Sequence, residues 1–300
     1  MDEQPIVIGA GELLWDVFPD GRRPGGAPAN VAFHARQLGL GGVVFSRVGQ
    51  DPLGADLRAY LHDHGVPATW VQGDAQHPTG RVTVDLSVPE QPAFTVEENV
   101  AWDHLEFDEP TRELAGKAAA VCFGTLAQRS SRSREAIHGL LAACDEKCLT
   151  VYDVNLRPPW FDRSWIEQSL RAARVVKLNL REVRDVAALL GLGTDDPIDV
   201  ARHFQSNFGV ELVCVTRSAD GCLLVDRDGV AEATGVHVEG VDPVGAGDAF
   251  TAGLIYGHLR NWSLKVRAVF ANQIAALVAG RAGAMPELAA EFAQEMDRFH

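Results

Sequence analysis

The stretch Asp242-Pro243-Val244-Gly245-Ala246-Gly247-Asp248 runs straight into Ala249-Phe250-Thr251-Ala252-Gly253, so a glycine-rich turn meets an apolar helix with an aspartate at the junction. The first-turn amides of a helix have no partner inside it, and the dipole there is positive, so such a turn holds phosphate oxygens. Gly245 and Gly247 remove the Cβ atoms that would keep an anion away. Asp248 places a carboxylate beside that anion, where it would take a proton from an attacking hydroxyl. The chemistry of this spacing is phosphoryl transfer. The plain alternative is a simple helix start, since aspartate also favours the first turn.

Other polar groups carry two readings each. Asp153, Asn155 and Arg157 fall at i, i+2 and i+4. If the segment stays extended they share one face, at the strand end where open α/β sheets bind ligands. A polar strand end before Pro158-Pro159 is the alternative. Asn179 and Glu182 have the spacing of a helix capping box, yet the same carboxylate suits the water shell of a magnesium ion. Thr216 closes an apolar strand, and Asp220-Gly221 after it has hairpin chemistry. Asn272 sits inside the apolar run Phe270–Leu277 as a polar helix residue. Asp16 would accept hydrogen bonds from vicinal sugar hydroxyls or close a turn, and Asn30, beside Gly25-Gly26, poses the same choice. The 10 histidines form no metal-hydrolase pair, and no Gly-x-Ser-x-Gly elbow occurs.

The elements that must position these groups follow from patterning. Ile6–Ala10 is an apolar strand before a Gly turn; Leu14 stands where a dinucleotide fingerprint needs its third glycine. Pro28 opens a helix whose apolar face is Val31, Ala35 and Leu38, and Gly39 ends it. Strand Val43–Phe45 follows, then a Gly/Asp/Pro turn and a helix to about His64. Over 79–100 the pattern alternates, with Val82, Val84, Leu86 and Val88 on one face, which predicts an antiparallel flap. Apolar runs at 119–123, 149–152, 175–178 and 212–215 alternate with helical stretches, as in a mainly parallel sheet covered on both faces. The expectation is one domain over 1–300, with a lid from 79–100 and residues near 12–24.

The formal charge of −14 argues against nucleic acid and anionic membranes as partners. No apolar run is long enough to span a bilayer, and the acidic start Met1-Asp2-Glu3 lacks the pattern of a signal peptide. The 5 cysteines include Cys144 and Cys148, four apart on an expected helix, with no metal-ligand spacing nearby. Reduced thiols in a cytoplasmic protein are expected.

The order of these signals matters more than any one of them. Gly25-Gly26-x-x-x-Asn30, Asp153-x-Asn155-x-Arg157, Asn179-x-x-Glu182, Thr216-x-x-x-x-Gly221 and Gly245-Ala246-Gly247-Asp248 together resemble the PfkB family of ribokinase-like carbohydrate kinases, across essentially the whole chain. Gly25-Gly26-Ala27-Pro28-Ala29-Asn30, and Tyr152–Arg157 with Trp160, look like the fructokinase versions. The resemblance implies a ribokinase-like three-layer α/β sandwich with a small β lid, and transfer of the ATP γ-phosphate to a primary hydroxyl, fructose first. It implies Asp248 as base and the Ala246, Gly247 and Asp248 amides, with Gly245, as the anion hole. Asp16, Gly25, Gly26, Asn30 and Asn155 would hold the sugar, Arg157 would lie near it or the phosphate, and Phe94 would cover it. Asn179 and Glu182 would organise Mg²⁺ and phosphates, the glutamate through water. Thr216, Gly221 and Asn272 would flank the nucleotide, and carbonyls near Asp242 would leave room for K⁺. Ser218 replaces a common glycine and Pro243 a common threonine. Rival readings are the same fold acting on ribose, 2-keto-3-deoxygluconate or a nucleoside, and a catalytically silent sugar-binding regulator. A homodimer through an apolar lid face is also expected.

Overall fold

The structure, a computed structural model, describes residues 4–85, 93–238 and 242–299. From the N-terminus, β1 (Ile6–Ala10) leads to β2 (Leu14–Phe18), β3 (Gly21–Gly25), α1 (Ala27–Gln37), β4 (Gly41–Gly49), α2 (Pro52–Asp63) and β5 (Val71–Asp74). The antiparallel pair β6 (Gly80–Asp85) and β7 (Ala93–Val96) precedes α3 (Glu109–Ala115). Alternation follows: β8 (Ala118–Gly124), α4 (Ser131–Ala142), β9 (Leu149–Asp153), α5 (Arg163–Ala172), β10 (Val175–Asn179), α6 (Leu180–Leu190), α7 (Pro197–Phe208) and β11 (Leu212–Thr216). The chain closes with β12 (Cys222–Asp226), β13 (Val230–Ala233), α8 (Ala246–Leu259), α9 (Leu264–Ala279) and α10 (Ala289–Arg298).

A 9-stranded sheet runs β13-β12-β11-β10-β9-β8-β1-β4-β5. Its pairs from β5 through β11 are parallel, and β12 and β13 join antiparallel. Strand residues alternate between two cores because side chains alternate across a strand. Val7, Ala120, Cys122, Val151 and Cys214 pack on the side of α1, α8, α9 and α10. Ile8, Val121, Phe123, Tyr152 and Val215 pack on the side of α3 to α7. Burying a phenylalanine such as Phe123 or Phe250 is worth roughly 1.5–3 kcal/mol over leaving it exposed. Layers of that kind hold the polar groups at the strand ends in register.

A second, 4-stranded sheet has the order β3-β2-β6-β7. Leu14–Phe18 thus lies beside Gly80–Asp85 as a parallel neighbour, and Val82 is buried. Leu86 and Val88 of the alternating run, with Val241, lie outside the described residues, as do the side chains of Val84 and Phe94. Among the described residues the large exposed apolar side chains are Ile198, Val230 and Val244, none in this sheet. Most of the apolar face expected to join two copies, Val84, Leu86 and Val88, therefore lies outside what the structure describes. Cys144 and Cys148 also differ from expectation: α4 stops at Ala142, and both lie in the connection to β9. All five cysteines are free. No helix among the described residues is long and apolar enough to cross a membrane.

Candidate active site

The C-terminal ends of the parallel strands converge on the starts of α1 and α8, which pack against each other. Gly245 is the N-cap of α8, with φ 80. A Cβ there would stand 2.6 Å from Ala284 Cα, so the left-handed glycine lets the turn pass against backbone. Asp242 clamps that turn: Oδ1 accepts from Val244 N at 3.1 Å and Oδ2 from Gly283 N at 2.8 Å. Both oxygens of the residue considered for K⁺ thus serve the backbone. The Ala246 amide is turned onto Pro243 O at 3.3 Å, whereas those of Gly247 and Asp248 meet no backbone acceptor among the described residues. Of the three amides expected to form an anion hole, two thus have no backbone acceptor among the described residues. The third closes the turn instead, bonding three residues back along the chain.

Asp248 is buried, and its Oδ2 accepts from Asn30 Nδ2 at 2.7 Å. Burial, then the nearby Asp153, push its carboxyl up to about 7, against the pull of Lys177, Asn30 and Arg157. Asp16 in β2 is raised to about 6 by burial, opposed by Arg157. A Cβ on Gly25 would stand 2.2 Å from Asp16 Oδ2, so the diglycine makes room for that carboxylate. Gly26 has φ 111, and a Cβ there would meet Glu12 O at 2.3 Å. The structure thus brings Asn30 to Asp248 and Gly25 to Asp16, with Arg157 near both carboxylates and Gly26 against Glu12.

Asn155 departs from expectation. Its φ of 39 breaks the extended run after Asp153, so Asp153, Asn155 and Arg157 do not share one strand face. Asp153 is instead buried, while Arg157 is exposed. Asn179 and Glu182 do form the capping box, at 2.9 Å in both directions. Glu182 Oε1 also accepts from Leu156 N at 3.0 Å, tying the loop after β9 to α6.

Gly221 and Asn272 lie against the chain leaving β13, whereas Thr216 is held to β10. Thr216 Oγ1 donates to Leu178 O at 3.4 Å, and Asn272 Nδ2 donates to Thr234 O at 2.8 Å. A Cβ on Gly221 would stand 2.0 Å from Ala233 O. That chain and α9 enclose a groove of about 170 Å³ lined by Val236, Val238, Gln273, Leu277 and Gly280. Ser218, where glycine is common in the resembled family, takes φ 52. A left-handed conformation there costs roughly 1–2 kcal/mol for a residue with a Cβ. A larger cavity of about 450 Å³, near Gln50, Asp51 and Arg58, contains none of the predicted residues.

Two groups escaped the sequence reading. Glu12 is 4% exposed, accepts from Ala27 N through Oε1 at 3.3 Å, and leaves Oε2 without a partner among the described residues. Burial lifts it to about 7. Its position just past a strand-end glycine was the available signal. Lys177 is the other: its Nζ lies 3.1 Å from both oxygens of Asp153. A lone charge in the run Val175-Val176-Lys177-Leu178 already demands a partner.

Glu12, Asp16 and Asp248 share a consequence for stability. Each takes up a proton on folding between the ordinary carboxylate range and its raised value, so each favours the fold as pH falls through that window. Each unit of raised pKa is worth about 1.4 kcal/mol. The ligand-free protein should melt at higher temperature at pH 5.5 than at pH 8. A melting temperature flat or falling over that change, by calorimetry, would contradict the burial of these carboxyls.

A mainly parallel sheet covered on both faces, a second small sheet and a buried carboxylate at a glycine-started helix define an α/β fold with its polar site at the strand ends. Residues 7–290 match the family model for pfkB family carbohydrate kinase, and the chain belongs to that family. It is a carbohydrate kinase. A fructokinase of Escherichia coli is 33% identical over 82% of both chains. The uncharacterized sugar kinase PH1459 of Pyrococcus horikoshii is 30% identical over 93% of this chain and 91% of its own. Its crystal structure in complex with ATP matches with TM-score 0.81 at 28% identity, covering 97% of this chain and 99% of that one. Fructokinase from Vibrio cholerae O395, in its fructose, ADP and calcium ion bound form, matches with TM-score 0.81 at 26% identity, over 98% and 99%.

Proposed function

We propose that this kinase transfers the γ-phosphate of ATP to a primary hydroxyl of a small sugar, fructose to fructose 6-phosphate being the first candidate. The observation that carries the reading is the buried Asp248 beside the free Gly247 and Asp248 amides, held by Asn30. The fructokinase relatives and the fructose, ADP and ATP complexes of similar proteins support the substrate pair.

Asp16 and Asn30, whose Oδ1 is a buried acceptor without a partner among the described residues, would hold sugar hydroxyls. Gly25 and Gly26 let the sugar approach the backbone, and Asn155 and Arg157 would border it. Asp248 takes the hydroxyl proton as that oxygen bonds to the γ-phosphorus and the bond to the β-phosphate oxygen breaks, releasing ADP. The Gly247 and Asp248 amides stabilise charge on the group in transit. The groove along Val236 and Gln273 would take the nucleotide base, with Thr216, Gly221 and Asn272 fixing its walls.

Among the described residues no group of 3 or more His, Cys, Asp or Glu converges as a metal cage. That fits a magnesium ion carried on nucleotide phosphates and water, which Glu182 would meet only through water. Such an ion neutralises phosphate charge. A K⁺ ion would be held by backbone carbonyls near Asp242, whose carboxylate oxygens accept from Val244 N and Gly283 N. The smaller sheet would close over the sugar and exclude water, Phe94 contributing the cover.

A coupled ADP-release assay over fructose, ribose, 2-keto-3-deoxygluconate and a nucleoside tests the reading. Fructose should show the highest kcat/KM. Another acceptor in first place would overturn the fructose assignment, and no ATP-dependent turnover with any of them would overturn the whole.

A further inference from the structure

Lys177 and Asp153 form an ion pair whose side chains are only 8% and 3% exposed. Thr251, one turn beyond Asp248 in α8, donates to Asp153 Oδ2 at 3.1 Å. Residues three apart share a helix face, so the Asp153 carboxylate lies against the turn of α8 that carries Asp248. On the other side, a Cβ on Gly247 would stand 3.0 Å from Lys177 Nζ. The ammonium thus lies directly beneath the residue preceding Asp248. In a buried setting a second carboxylate favours the neutral acid, and an ammonium favours the carboxylate.

We propose that Asp153 and Lys177 are a pair of positioning residues that set the proton affinity of Asp248 by opposing fields from beneath the helix start. Lys177 keeps Asp248 able to ionise; Asp153 keeps the resulting carboxylate basic enough to take a proton from an alcohol, since a base serves best when matched to the working pH. The inference rests on Asp248 being the base. The remaining groups facing it are few. Asn30 on α1 donates to it, Arg157 after β9 draws its value down, and the Cys122 thiol on β8 stays neutral because burial raises it well above its usual range. Lys177 remains charged: burial opposes its proton, but Asp153, Glu182 and Asp248 together hold it above its usual value.

The experiment follows the Asp248 carboxyl by ¹³C NMR in the resting protein, alongside the acid limb of the kcat–pH profile. Asp153→Asn should move both titrations down by roughly one pH unit, and Lys177→Met should move both up by a similar amount, the ordinary size of a neighbouring charge. The double variant should fall between them. Where Lys177→Met does not fold alone, the step from Asp153→Asn to the double variant reads the same charge and should be upward. Titrations that stay put in folded variants, or move the same way in both, would overturn the pair's role. The NMR arm needs no turnover, so its failure is distinct from a failure of Asp248 as base, which Asp248→Asn reads.

Discussion

Asp248→Asn should lower kcat by roughly 10²–10⁴, the usual worth of a positioned general base. The substitution is close to isosteric, and the amide oxygen can still accept from Asn30, which now donates to the carboxylate at 2.7 Å. Only proton acceptance is removed. Because that act belongs mainly to the transition state, the affinity for ATP should stay nearly unchanged. Removing a buried carboxyl pushed up to about 7 should also leave the fold as stable as before, or more so at alkaline pH. Steady-state kinetics with calorimetric ATP binding measure both. Turnover near normal would take Asp248 out of the mechanism.

Gly245→Ala is expected to be nearly as damaging for a different reason. At φ 80 the backbone is in the left-handed region, and a Cβ would meet the Ala284 backbone at 2.6 Å. The strain alone costs roughly 1–2 kcal/mol, and backbone atoms at that distance cannot rotate away. The turn must move, carrying the Gly247 and Asp248 amides from their places. Loss of aligned donors should lower kcat by on the order of 10²–10³, as for one removed oxyanion donor. Val244→Ala, one residue earlier and exposed, is the control and should be near neutral. Equal kcat for Gly245→Ala and the control would show that the amides are not placed for catalysis.

Much of this fold was legible because its signals are local. The short, β-branched runs at Val175–Leu178 and Leu212–Val215 read as buried strands, and the capping box at Asn179 and Glu182 is written in four residues. The late Gly245–Asp248 turn was legible for the same reason. What stayed hidden depends on distance along the chain. Asn30 and Asp248 are 218 residues apart, and only the packing of α1 on α8 makes them partners. The free backbone torsion of Asn155, with φ 39, defeated a face argument that assumed an extended chain. The Ala246 amide is a local exception: it turns to Pro243 only three residues back, a choice of turn geometry that residue types alone do not fix. Glu12 and Lys177 were visible as misplaced charges, but their partners come from other elements, Ala27 at the start of α1 and Asp153 at the end of β9.

The most direct test is a crystal structure with ADP, a γ-phosphate mimic such as aluminium fluoride, and fructose. The mimic should sit within hydrogen-bond reach of the Gly247 and Asp248 amides, roughly 3 Å, with a sugar hydroxyl between it and the Asp248 carboxylate. Density for the mimic in the cavity near Gln50 and Arg58, or a carboxylate turned away from the bound hydroxyl, would contradict the assignment of this helix start as the place where the phosphoryl group is transferred.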